Sequence, residues 1–283
     1  MDLERVISQT VDLPPAAKIF PQLLKTLRDP TSQLQDVIEL LKVDVNLSAN
    51  ILRIASGSYY ANSTPTNSLD AAIQRIGLSE INRLVSIAIS KGVLDQALSS
   101  YNMQQGALIE DSLATAQIMH ALSHTFDPSS IDTYYTTGLL HAIGKIVINQ
   151  YLKKHNMTLY GANDPVTAKP HEITIKFERQ ILGFDHAQAG AALIQRWGFE
   201  PRVSQAIQFQ HQPAATTASP SRLTSCLHFS NRIAPAFRTS DHCPSVDDWP
   251  QLCNTVALSH EQVQACLERA YQEFSKAMLM LKN

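Results

Sequence analysis

Apolar residues recur at steps of three and four positions along most of this chain, and the strict apolar–polar alternation of a half-buried strand is scarce. That period leaves no room for a sheet of any size, so the fold class expected is all-α. Leu34, Val37, Ile38 and Leu41 form one stripe, with Ser32 and Gln35 at capping-box spacing ahead of it. Leu69, Ala72, Ile73 and Ile76 make a short helix that Gly77 stops as a left-handed C-terminal residue. Ser79 is placed to cap a following helix with Ile81, Leu84, Val85 and Ala88 on its apolar face. Ser259 and Gln262 open a long amphipathic helix with Val263, Cys266, Leu267, Ala270, Phe274, Met278 and Leu281 on one side.

Composition narrows the function classes. With 283 residues, 44% hydrophobic and 17% charged, the chain has the material for one large globular domain or two modest ones. A net charge of -2 provides no broad basic field, which argues against nucleic acid and anionic lipid as partners. No apolar run approaches the roughly 18 to 20 residues needed to span a bilayer, so no membrane partner is expected. The start, Met1-Asp2-Leu3-Glu4-Arg5, lacks the apolar core of a signal peptide. Cys226, Cys243, Cys253 and Cys266 contain no Cys-x-x-Cys pair and fit reduced thiols. The cytoplasm is the expected location.

Boundaries follow from thinning of the helical pattern. From Asp95 to Gln105 the apolar positions become sparse, as at a junction between two helical lobes. Gly161 to Pro170, Gln212 to Ser221 and Asp241 to Pro250 are polar, proline-containing loops.

Two separated sets of motifs resemble one family. The first runs from Leu13-Pro14-Pro15 through Leu27-Arg28-Asp29-Pro30, Asp44-Val45-x-Leu47-Ser48 and Ile51-Leu52-Arg53-Ile54-Ala55 to Ser68-Leu69-Asp70-Ala71-Ala72-Ile73-x-x-Ile76-Gly77. The second is Leu139-Leu140-His141-Ala142-Ile143-Gly144-Lys145, then Glu178, Ile181-Leu182-Gly183-x-Asp185-His186-Ala187, Gly190-Ala191, Trp197-Gly198-Phe199 and Ala206-Ile207 with His211. In order and spacing these are similar to the HDOD domain, a bacterial signalling module related to HD-type metal-dependent phosphohydrolases. The resemblance implies a two-lobed helical fold: an HDOD domain over 13–211, with an N-terminal lobe of about 13–100 and an HD-like lobe from about 105. Residues 212–283 would be a C-terminal helical extension that completes the HD-like lobe.

The departures from that pattern bear on chemistry. HD enzymes place an Asp after the motif His, and the pair binds the ion that activates water. Here that position is Ala142, whose methyl group cannot ligate a cation. The first His of the pattern is replaced by Asp111, in Asp111-Ser112-Leu113-Ala114-Thr115-Ala116, and Asn231 is the nearest counterpart of the final Asp. The metal candidates that remain are Asp111, His141, His186 and His211, a vestigial set of three imidazoles and one carboxylate. No cofactor is expected; the alternative is a divalent iron, zinc or manganese ion on those four residues.

Each candidate also has a purely structural reading. His141 sits among Leu140, Ile143 and Ile146 and can be a core histidine bonded to a backbone carbonyl. His186 follows Asp185 and can help to cap its helix, His211 ends a helix where the dipole favours a cation, and Asp111 can cap or face solvent. Trp197 and Phe199 are read as core, and Tyr59-Tyr60 as lobe packing. No glycine-rich phosphate loop and no nucleophile elbow appears.

Two functions follow. The resemblance implies a non-catalytic signal-transduction or regulatory module that binds a protein partner or a ligand. That partner would belong to a bacterial signalling pathway, one related to cyclic dinucleotides among the options. The alternative is a metal-dependent phosphohydrolase working from a degenerate site. Neither the oligomeric state nor the identity of the partner follows from the sequence.

Overall fold

The apolar stripes become helices in chain order. In the computed structural model the described residues are 1–10, 22–23, 25–26, 29, 31–42, 48–49, 51–52, 68–77, 81, 85, 87, 93–160, 171–215 and 221–282. The helices are α1 (Leu3–Thr10), α2 (Leu34–Lys42), α3 (Leu69–Ile76), α4 (Ala107–Phe126), α5 (Ile131–Leu140) and α6 (Gly144–Lys154). They continue with α7 (His171–Leu182), α8 (His186–Arg196), α9 (Pro201–Gln208), α10 (Arg222–Thr239), α11 (Pro250–Cys253) and α12 (His260–Lys282). Among the described residues the extended pairing is one antiparallel bridge between Leu98 and Met103. The fold is all-α.

The chain divides into two compact units. One comprises residues 12–93 and 278–283. Its α2 buries Val37, Ile38 and Leu41 and packs on α3, which buries Ala72 and Ile73. The capping expected of Ser32 and Gln35 is displaced by one residue: the Asp36 carboxylate accepts from the Gln33 N–H at 2.8 Å. An anion in the first turn also complements the helix dipole, which the neutral Gln35 cannot do. Ser68 caps α3, accepting from Ala71 N at 3.4 Å. Gly77 ends it with φ +89° and ψ 149°, an extended glycine conformation in place of the left-handed one expected. Ser79 lies outside the described residues, as do Tyr59 and Tyr60.

The other unit comprises residues 1–11 and 94–277. In it α4 packs along α5 and α10, α8 along α6 and α9, and α1 lies on α6 and α8. A complete capping box starts α8, with Asp185 accepting from Gln188 N at 2.9 Å and Asp185 N donating to Gln188 at 3.0 Å. Arg179 of α7 holds the same carboxylate at 2.7 Å. Ser259 and Gln262 form the expected reciprocal box at the start of α12, at 3.2 and 3.0 Å. Trp197 and Phe199, expected in the core, are half-buried and pack on one another at 6.5 Å.

Two glycines let backbones approach where a side chain would block them. A Cβ on Gly138 of α5 would stand 2.7 Å from Ala116 Cα of α4. A Cβ on Gly144, the first residue of α6, would collide with the His186 carbonyl and reach Gly190 N at 2.6 Å. This contact seats the start of α6 against the start of α8, and the turn His141-Ala142-Ile143 comes directly before it. Alanine normally favours a helix over glycine by about 0.5–1 kcal/mol. Backbone has little freedom to yield here, so Gly144→Ala is expected to cost about 2 kcal/mol or more in urea unfolding. Gly190→Ala, whose Cβ would meet neighbours at 3.3–3.6 Å, should cost clearly less. Equal losses in the two variants would contradict the close-approach account.

Candidate functional site

A carboxylate on an apolar stripe organises the site. Ile175, Glu178 and Leu182 share the inner face of α7, and Glu178 is 0% exposed. It accepts from Tyr101 Oη at 2.7 Å, from the His186 backbone N–H at 2.9 Å, and from His186 Nδ1 at 2.8 and 3.0 Å. His186 is the first residue of α8, so its N–H is one of the donors that a helix start leaves unpaired. Burial pushes the Glu178 carboxyl up, but the facing His186 and the three donors outweigh it and hold the group below its ordinary value. Tyr101 is driven well above the usual phenol range by burial and by the Glu178 charge, so it remains a donor.

An ionised carboxylate only accepts, so His186 carries a proton on Nδ1 and turns Nε2 toward His211. The two Nε2 atoms are 2.9 Å apart, one hydrogen bond's length, and share one proton between them. His141 is fixed in a parallel way. Its Nδ1 donates to Gly138 O at 2.7 Å, and burial lowers its pKa to about 3, with the Lys145 charge adding to the effect. The ring is therefore neutral across the ordinary pH range.

Gln210 links the histidines to α10. Its Nε2 donates to His141 O at 2.9 Å and to Ile207 O at 3.0 Å, its Oε1 accepts from Asn231 Nδ2 at 2.9 Å, and its carbonyl accepts from His228 Nδ1 at 2.7 Å. Asp111 takes a different partner. Its Oδ1 stands 2.9 Å from Arg238 Nε in an ion pair that lacks hydrogen-bond alignment. Burial raises the Asp111 carboxyl, opposed by Arg238 and Lys145. Lys145 is itself 8% exposed, and burial lowers its pKa against the pull of Asp111 and Glu178.

The structure thus joins His186 and His211 through Glu178 in one hydrogen-bonded set and the His141 carbonyl and Asn231 through Gln210 in another, while Asp111 pairs with Arg238. Asp111 lies inside α4 and is half-buried, neither a cap nor a solvated residue. Asp185 supplies the α8 cap that was expected of His186, and His211 lies in the turn beyond the end of α9. Ala142 is 1% exposed. Among the described residues no three His, Cys, Asp or Glu side chains gather as a metal ion requires. In this arrangement His186 and His211 face one another and Asp111 faces Arg238.

Tyr101 and Gln210 went unnoticed in the sequence, and Glu178 figured there only as part of the family pattern. Glu178 carried a signal, an acid where the helical period demands an apolar residue. Tyr101 and Gln210 carried none, because their roles depend on tertiary neighbours.

With fold and site defined, the class is an all-helical protein with an HD-like polar core. The HDOD domain model matches residues 13–213, and the chain belongs to the HDOD family. An uncharacterized protein of Treponema pallidum (strain Nichols) is 24% identical over 221 residues, which span 78% of this chain and 42% of that protein, under half its length. An HDOD domain protein of unknown function from Geobacter sulfurreducens superposes with a TM-score of 0.69 at 20% identity, covering 97% of this chain and 95% of the other. A protein provisionally named a phosphohydrolase from Shewanella amazonensis SB2B gives 0.65 at 22% identity, with 98% and 97% covered. One provisionally named a signal transduction protein from Marinobacter aquaeolei VT8 gives 0.68 at 19%, with 99% and 60% covered. At these identities the likeness is one of fold.

The His141 environment has a pH signature. Unfolded, the ring titrates near 6.5; folded, near 3. Between those values the unfolded chain holds the extra proton, so stability is full above pH 6.5 and declines as pH falls toward 3, by up to about 5 kcal/mol. Urea unfolding of wild type and His141→Leu from pH 7 to 4 should show the variant losing less stability on acidification. Parallel pH profiles would contradict this.

Proposed function

We propose that this chain is a non-catalytic regulatory module of bacterial signal transduction, located in the cytoplasm, which acts by binding a protein partner or a ligand. Its family and the name of the Marinobacter protein support the signalling half of this reading. One observation carries the non-catalytic half: the polar groups of the HD-like core are taken up by one another. Glu178 holds His186, His186 holds His211, the Gly138 carbonyl holds the His141 ring at Nδ1, Gln210 holds Asn231, and Arg238 holds Asp111. Ala142 stands where the ligating Asp of an HD hydrolase would be. Metal activation of water needs several ligands converging and one position left open. A cyclic-dinucleotide pathway is the proposed setting, with partner identity open to experiment. No helix among the described residues is long and apolar enough to cross a membrane.

The test is hydrolysis of a generic phosphodiester and a phosphomonoester by the untagged chain, with iron, zinc or manganese supplied in turn. The expected result is no turnover above the metal alone with any ion. Turnover that His141→Ala and His186→Ala abolish would establish the hydrolase instead. Ala142→Asp restores a carboxylate at a buried position, where an unpaired charge is costly. On this reading the variant loses stability and none of the three ions recovers it; recovery by one of them would mark a dormant metal site.

A further inference from the structure

Outside the polar core, the most suggestive pair of ligating side chains stands on α4. His120 and His124 are one helical turn apart and so share a face. Their ring centroids are 4.9 Å apart with ring planes at 86°. Tyr135 of α5 meets His120 edge-on at 6.0 Å, which steadies one ring, while His124 is exposed and can turn about its own bonds. Two imidazoles bound to one ion at about 2.0–2.1 Å put their ring centres about 4.5–5.2 Å apart, for ligand angles between 90° and tetrahedral. The spacing already lies within that range. The pair also occupies the last two turns of a 20-residue helix, whose negative dipole end favours a cation.

We infer that His120 and His124 form a surface site for a divalent transition-metal ion of the copper, nickel and zinc group, with water in the remaining positions. Imidazole is a suitable ligand for all three, and a two-nitrogen site should take copper most tightly. The site is distinct from the network of α5 to α10, and it changes how metal content is to be read: metal carried by the purified chain can reside on α4.

The experiment is equilibrium dialysis of the untagged 283-residue chain against Cu²⁺ alone, then Zn²⁺ alone, for wild type, His124→Ala, His120→Ala and His211→Ala. Each variant's thermal unfolding is compared with wild type. One equivalent of copper is expected in wild type and in His211→Ala, bound more tightly than zinc. The electron paramagnetic resonance spectrum of the copper complex should show coupling to two nitrogens. His124→Ala and His120→Ala should each weaken binding by more than about tenfold, the least that even an outer partner of a metal site costs. The exposed His124 should be replaceable without a change in thermal unfolding, so its loss of binding cannot be ascribed to misfolding. Wild-type affinity in His124→Ala, or no binding by wild type, would overturn the assignment.

Discussion

A carboxylate removed from water is among the costliest things a protein core can hold, with a penalty of several kcal/mol unless donors surround it. Glu178 is fully buried, and much of the polar core is arranged around that fact. The first N–H of α8, the His186 ring and the Tyr101 hydroxyl converge on it from separate parts of the chain. Because the carboxylate can only accept, it fixes the His186 tautomer, and that tautomer fixes the bond to His211. The approach of α6 to α8 at Gly144 and Gly190 brings the His141 turn to the same place. Gln210 then closes the network onto α10.

This arrangement is the one that metal proteins use to orient a histidine ligand, in which a carboxylate takes the far ring proton and leaves Nε2 facing inward. Here the inward nitrogen of His186 meets another imidazole. At Asp111 the contact is electrostatic: the carboxylate faces Arg238, a fixed positive charge supplied by the protein. The core thus uses a carboxylate-oriented histidine for an internal contact.

The sequence was most legible where a short-range rule decides the outcome. The stripe on α12 and its Ser259–Gln262 box depend on residues within one or two turns of each other; the box forms as expected and the stripe is buried from Val263 to Phe274. The family motifs likewise led to the fold, through the His141 turn and the glycines around it. Where two local solutions compete, the reading failed: Asp36 took the place of the Ser32–Gln35 pair because a charged group at a helix start is better than a neutral one. The site was legible only as a list of candidate side chains. That His186 pairs with Glu178 and His211, and that Asp111 pairs with Arg238, are facts of tertiary approach between helices far apart in sequence. No periodicity reports which buried polar groups will satisfy one another.

The central claim is that both ring nitrogens of His186 are committed to protein partners, Nδ1 to Glu178 and Nε2 to His211, and that His141 is held at Nδ1 by Gly138. Long-range proton–nitrogen NMR of the imidazoles reads this directly, recorded on His124→Ala so that the α4 pair does not compete for metal. The account predicts Nδ1-protonated His141 and His186, coupling across the His186–His211 hydrogen bond, and spectra unchanged by one equivalent of Zn²⁺. Joint movement of the His141, His186 and His211 Nε2 signals to metal-bound positions would contradict it and return the core to the hydrolases.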